Sequence, residues 1–141
     1  MGKGFLKSTN YHRRYWKARK IDWLAAYGPQ NPEHPHRKVI VDKLRQFGVF
    51  RSVLEVGCAA GANIYRIKEA YPGADVGGID WSADAIEAAK TLLPKVAVLQ
   101  VGEADDVYIS SKGSDILISD MAYIYLDKRN FRRAVKEAKR V

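Results

Sequence analysis

The sequence is poor in cysteine and proline and has no long apolar run, and each shortage excludes something. Cys58 is the only cysteine in 141 residues, so no intrachain disulfide can form. That suits a reducing compartment and, with one thiol, gives no cysteine cluster for a metal. No run approaches the roughly 18 apolar residues of a membrane span. The basic start lacks the apolar core and cleavage site of a signal peptide, so the expected location is cytoplasmic. Three of the five prolines, Pro29, Pro32 and Pro35, lie together between residues 29 and 35, and only Pro72 and Pro94 interrupt the rest of the chain. His34 and His36 make a lone H-x-H pair in that Pro-rich stretch, and without a third ligand no metal site is expected.

Acidic residues are scarce at one end. Residues 1–51 hold 12 Lys and Arg against Asp22, Glu33 and Asp42, a net charge of +9, whereas the whole chain carries +8. A basic arm therefore precedes a nearly neutral remainder. It suits a solvated helix face or an anionic partner such as nucleic acid, and the sequence leaves both open.

The spacing predicts a frayed start over residues 1–8 and one aromatic-rich helix from about Asn10 to Tyr27. Trp16, Trp23, Leu24 and Tyr27 lie near one face of it. Gly28 and Pro29 end that helix, and GPQNPEHPH reads as a connector. A second helix is expected from about His36 to Phe47, burying Ile40, Leu44 and Phe47.

Behind it the pattern alternates. Strands are predicted at 52–56, 75–79, 97–101 and 115–119, and helices at 62–70, 83–93 and 128–140, with a short helix or turn at 105–108. The last helix should bury Phe131, Ala134, Val135 and Ala138. Alternation of this kind implies an α/β, Rossmann-like three-layer fold with a mostly parallel sheet. Right-handed crossovers give strand order 3-2-1-4, with the two amino-terminal helices in front. Residues 49–141 then form the ligand-binding domain, with residues 1–48 as a helical segment before it. The switch point between strands one and four gathers the Gly-rich turn, Asp80, Glu103 and Asp120 at the carboxyl ends of the strands.

Those residues suit a nucleoside with a charged tail. Glu55 is costly to bury in VLEV without donors to pair with it, which asks for a polar ligand. Gly57 and Gly61 let the backbone approach closely, and the turn opens a helix whose free N–H groups accept an anion. Asp80 ends strand two where an acid accepts hydrogen bonds from ribose hydroxyls. Trp81 is placed to lie on an adenine face, Glu103 to accept from its amine, and the Ala104 N–H to meet a ring nitrogen. Each has a plainer role open to it: Asp80 can cap a helix, Trp81 can pack, and Glu103 can begin a helix. Cys58 reads best as a small filler of the turn.

In this order the motifs resemble class I S-adenosylmethionine-dependent methyltransferases. VLEVGCAAG resembles the first family motif, GGIDWSADAIEAAK the second, VLQVGEADDV the third and DILISDMAYIYL the fourth, while FRRAVKEAKRV resembles the helix before the fifth strand. The resemblance implies S-adenosylmethionine as cofactor, with Glu55, Gly57, Cys58, Ala59, Gly61, Asp80, Trp81, Glu103, Ala104 and Asp120 around it. It implies methyl transfer to an unidentified acceptor, a small molecule in preference to nucleic acid, with residues 1–48 as a cap or lid. Asp120 and Tyr123 are the candidate bases, joined by His12 if the first helix folds over the pocket, and Tyr11 and Tyr15 are the candidate acceptor contacts. Family members continue through three further strands, so strand four is expected as an edge for a second copy, a partner chain or the amino-terminal helices to cover. A noncatalytic cofactor-binding subunit and a basic nucleic-acid-binding protein are the competing functions. A nicotinamide enzyme is disfavoured because Ala59 stands where its fingerprint wants a glycine.

Overall fold

A computed structural model describes residues 8–28, 35–96 and 98–141, without the side chain of His36. The basic start at 1–7, the connector from Pro29 to His34 and Ala97 lie outside the described residues, and so does the expectation for the H-x-H pair. The ordered elements run α1 (Thr9–Ala18), α2 (Trp23–Tyr27), α3 (Pro35–Leu44), β1 (Ser52–Val56), α4 (Ala62–Ala70), β2 (Asp75–Asp80), α5 (Ala83–Leu92), β3 (Val98–Val101), β4 (Ile116–Ile118) and α6 (Lys128–Arg140).

The four strands form one parallel sheet in the order β3-β2-β1-β4. β1 lies between β2 and β4, with Leu54 opposite Gly77 on one side and Leu117 on the other. Alternate residues feed two cores, as the two-residue period of a strand requires. On one face Val53, Val76 and Leu99 pack with Ile64 and Ile67 of α4 and with Ile86, Ala89 and Leu93 of and just beyond α5. Leu54, Val56 and Ile79 pack on the other face with Val107 and Val141. Ile64, Ile67 and Ile86 are fully buried, each adding about 1.5–3 kcal/mol of hydrophobic stabilisation.

Several expectations are corrected. The first helix is two helices, because Arg19 leaves helical backbone and the Asp22 side chain accepts from Ala25 N–H to cap a new start. α3 begins at Pro35, where a missing N–H costs nothing, and closes in a 3-10 turn over Arg45–Phe47. Leu44 is buried as expected, but Phe47 is 66% exposed beyond that turn. Of the short helix or turn expected over 105–108, the structure has the turn, one residue earlier at Ala104 and Asp105 between Glu103 and Asp106, which bridge in antiparallel fashion. β4 is shorter than expected, and a 3-10 turn over Tyr123–Tyr125 lies within the segment that follows it.

α6 keeps its expected bounds, with Asp127 capping it by accepting from Asn130 N–H. Only Ala134 of its four expected core residues is fully buried, and Phe131 is 44% exposed. Its far end is held by Glu137, which accepts from Val107 N–H and pairs with Arg140. Those bonds hold the Glu137 carboxyl at about 2, below its ordinary value. The Arg140 guanidinium in turn donates to the carbonyls of Val107 and Ile109, fastening α6 to the loop that enters β4.

No helix among the described residues is long and apolar enough to cross a membrane.

Candidate functional site

A cavity of about 570 Å³ opens at the carboxyl ends of the strands. Its floor is the turn after β1. Gly57 and Cys58 both donate their N–H to Ile79 O, at 2.7 and 3.1 Å, which draws this turn against the end of β2. Gly57 has φ +83°, and a Cβ on it would lie 2.2 Å from the Ala122 Cβ. Glycine there admits both the left-handed backbone and the segment after β4. Ala59 is also left-handed, at φ +47°, a cost accepted where its N–H reaches Asp80 Oδ2 at 2.9 Å.

Asp80 is buried at the end of β2. Its second oxygen accepts from Ser82 N–H at 2.9 Å, so each oxygen keeps lone pairs for a ligand. Burial pushes its carboxyl up, while the Ser82 and Ala59 N–H bonds hold it down. Trp81, Gly102, Glu103 and Ala104 continue the wall on this side.

On the other side stands Glu55, on the β1 face toward α4. Asn63 Nδ2 donates to Glu55 Oε1 at 2.7 Å and to Asp120 Oδ2 at 3.0 Å, linking the acids that follow from β1 and β4. Burial pushes the Glu55 carboxyl up to about 8; the Asn63 bond opposes this, and the charges of Asp120 and Asp80 add to it. Arg37 of α3 lines the same cavity and is only 6% exposed. Burial pushes its guanidinium down, and Asp120 and Glu55 hold it up.

Three buried polar atoms in this corner have no partner among the described residues: Arg37 Nη1, Glu55 Oε2 and Asn63 Oδ1. An unmade buried bond costs about 1–3 kcal/mol, more for a charged group, so such a cluster signals a ligand. Arg37 offers a cationic donor of the kind a carboxylate needs, and Glu55 and Asn63 offer acceptors of the kind an ammonium needs. Together they match the charges of an α-amino acid group, which is the charged tail of S-adenosylmethionine. Asp80 lines the same cavity.

The amino-terminal helices close the cavity. Thr9, His12, Arg13 and Trp16 of α1 line it, with Trp23, Ala26 and Tyr27 of α2. Thr9 anchors α1: its Oγ1 donates to Asp127 Oδ2 at 2.9 Å and accepts from Asp127 N–H and Asn130 Nδ2, both at 3.0 Å. Arg13 forms an ion pair with Glu103.

The cavity brings together Glu55, Gly57, Cys58, Ala59, Asp80, Trp81, Glu103, Ala104, Asp120 and Tyr123 from the sequence-derived set. It leaves out three. Gly61 faces away from the cavity, its missing Cβ making room for Leu93 Cδ1, so it serves the packing of α4 against the end of α5. Tyr11 and Tyr15 point outward, 39% and 44% exposed. His12 and Trp16, one residue further on, take the inward positions. Glu103 is held by Arg13 instead of standing open to a ring. Tyr123 is a poor base, because its hydroxyl is buried without a described partner and burial pushes its pKa up. Burial raises the Cys58 thiol well above its usual value, as befits a filler of the turn.

Arg37 and Asn63 escape the sequence reading. Arg37 sits in a basic run that looks like a solvated face, and Asn63 offers only the weak signal of a polar residue in the first turn of an otherwise apolar helix.

A family model described as a methyltransferase domain matches residues 53–141. The chain belongs to the methyltransferase domain family.

Solved structures share this domain's fold. The YcgJ protein of Bacillus subtilis is 23% identical, with a TM-score of 0.59 over 77% of this chain and 46% of its own. The PH0226 protein of Pyrococcus horikoshii OT3 is 20% identical, with a TM-score of 0.68 over 94% of this chain and 56% of its own. The magnesium protoporphyrin IX methyltransferase of Synechocystis PCC 6803, solved with bound S-adenosylmethionine, is 17% identical, with a TM-score of 0.69 over 97% of this chain and 73% of its own. The chain thus spans about half the length of the first two. Among the described residues no group of His, Cys, Asp and Glu is arranged to hold a metal ion.

Proposed function

We propose that this domain binds S-adenosylmethionine in the cavity and takes part in methyl transfer to a small-molecule acceptor. The observation that carries the reading is the trio of unpaired buried atoms beside the turn after β1, with Asp80 lining the same cavity. In this arrangement Arg37 takes the cofactor's carboxylate. Glu55 and Asn63 take its ammonium, Asp80 the ribose hydroxyls, and the Trp81 and Ala104 walls the adenine. Residues 1–48 act as the cap and 49–141 as the cofactor-binding unit. The outer edge of β4 is where a second copy or a partner strand adds.

The cofactor, when bound, supplies an electrophilic methyl group on a sulfonium whose leaving group departs neutral, so no acid is required of the protein. The chain supplies position and dryness. Glu55, Asn63 and Arg37 fix the amino acid end, Asp80 fixes the nucleoside, and the aromatic helices α1 and α2 keep water out. The cavity lies within the roughly 300–1,000 Å³ of small-ligand sites, which favours a small acceptor over a polymer.

Calorimetric titration with S-adenosylhomocysteine, with NADH as control, tests the reading. Saturable binding of the homocysteine compound alone is expected. Asp80→Asn keeps an oxygen for the turn and should weaken binding by about 10–100-fold through loss of charged hydrogen bonds. Undiminished binding in a folded Asp80→Asn variant would refute the ribose assignment.

A further inference from the structure

The cavity's second end is aromatic. His12 and Trp16 of α1, Trp23 and Tyr27 of α2 and Tyr125 beyond β4 line it. Trp16 packs edge to face with Tyr27 and Tyr125, ring centroids 6.3 and 5.6 Å apart, and His12 lies 5.2 Å from Tyr125. Each of these side chains is only half-buried, so apolar ring surface is left for a ligand to cover.

The charges narrow the kind of ligand. Glu103 is occupied by Arg13, Asp80 by two backbone N–H groups, and Asp120 by Asn63. Glu55 lies deep in the other corner with its pKa raised to about 8, so it is largely protonated near neutral pH. In the methyl-transfer reading Glu55 is taken by the cofactor's ammonium and Asp80 by its ribose, and Glu103 is paired with Arg13, so a neutral planar molecule suits the rings better than a cationic amine. His12 meets the rings of Tyr11 and Tyr125, with Arg13 next to it on α1, and no described carboxylate bonds its imidazole. Tyr123 stays protonated because burial raises its pKa, and Asp120 is bonded to Asn63. His12 lines this end of the cavity, and its imidazole nitrogens are the side-chain groups there that can take a proton.

We propose that the aromatic end is an acceptor subsite for a small planar aromatic molecule bearing a hydroxyl, and that His12 takes the proton of that hydroxyl. This rests on the methyl-transfer reading. In the step, the acceptor O–H bond breaks, its electron pair stays on oxygen, an N–H bond forms on the imidazole, and the imidazolium later returns the proton to solvent.

The test uses 4-nitrophenol, whose phenolate absorbs apart from the phenol, added to the full chain with and without S-adenosylhomocysteine at one fixed pH. Binding is read from tryptophan quenching and the protonation state from absorbance. Wild type should bind saturably with an increased phenolate fraction. Trp16→Ala, and independently Tyr125→Leu should either variant fold poorly, should weaken binding by up to about tenfold, the value of one lost aromatic contact. His12→Phe keeps the ring packing and should bind within about threefold of wild type. Its phenolate fraction should fall to that of free probe.

An unchanged phenolate fraction in His12→Phe overturns the base assignment. Failure of the probe to bind while S-adenosylhomocysteine titrates normally overturns the subsite and leaves the cofactor reading standing. Saturable probe binding with no homocysteine binding keeps the subsite and removes its methyl-transfer role; if neither binds, both fall.

Discussion

Binding of S-adenosylhomocysteine should release a proton, and Glu55 should be its source. Glu55 lies fully buried with its pKa raised to about 8, so about nine tenths of it is protonated at pH 7. The cofactor's ammonium beside Glu55 Oε2 favours the charged form and pulls that pKa down. If the shift brings it below about 6, binding at pH 7 releases about 0.8–0.9 proton. Titration in two buffers of different ionisation enthalpy measures this directly, since the observed heats differ by the protons released times that difference. Affinity should also rise with pH, by up to tenfold per unit, and level off near pH 8. Asp80 carries a raised pKa too, so the control is Glu55→Gln: it preserves shape and should bind with the release abolished. Equal heats in both buffers for wild type, or equal release in Glu55→Gln, would refute the assignment of the ammonium to this carboxylate.

The same residue predicts a stability trend. Its folded pKa lies above the unfolded value of 4.5, so its favourable contribution is complete below about 4.5 and disappears as pH rises through about 8. Urea midpoints of the free wild type should fall across that window relative to Glu55→Gln, and parallel midpoints would contradict the burial argument. Gly57→Ala combines a left-handed backbone with a Cβ 2.2 Å from Ala122, and should lose roughly 2–5 kcal/mol in denaturant unfolding; a loss under 1 kcal/mol would show the turn and the segment after β4 to be adaptable. Thr9→Val removes the hydroxyl that ties α1 to the start of α6, and amide exchange over α1 should accelerate about tenfold or more while β1 and β2 keep their protection. Unchanged exchange in α1 would mean that the Arg13–Glu103 pair alone anchors it.

The sheet was legible because both faces of a parallel sheet are buried, so VLEV and the segment ending in Ile79 read as apolar runs bounded by Gly and Asp. α4 and α6 were placed to the residue by their turn and cap signals. The break between α1 and α2 was hidden, since Asp22 caps a helix inside a run that keeps helical spacing across the gap. Phe47 is hydrophobic but lies past the 3-10 turn that redirects the chain, which spacing alone does not register.

At the site, Glu55 stood out because an acid inside an apolar strand needs a reason, and Asp80 because it ends the second strand behind a Gly-rich turn. Tyr11 and Tyr15 were chosen by residue type, but the inward line of α1 is Thr9, His12, Arg13 and Trp16, a phase fixed by the contacts of Thr9 with Asp127 and Asn130, 118 and 121 residues away in sequence. Long-range contacts of that kind also capture Glu103 and bring Arg37 beside Glu55, and no local pattern announces them.

The most direct test of the central claim is the crystal structure of this chain with S-adenosylhomocysteine. The account predicts the ligand's carboxylate at Arg37, its ammonium between Glu55 and Asn63, and its ribose at Asp80. A ligand bound with its amino acid end elsewhere, leaving Arg37 Nη1 and Glu55 Oε2 unpaired, would contradict it.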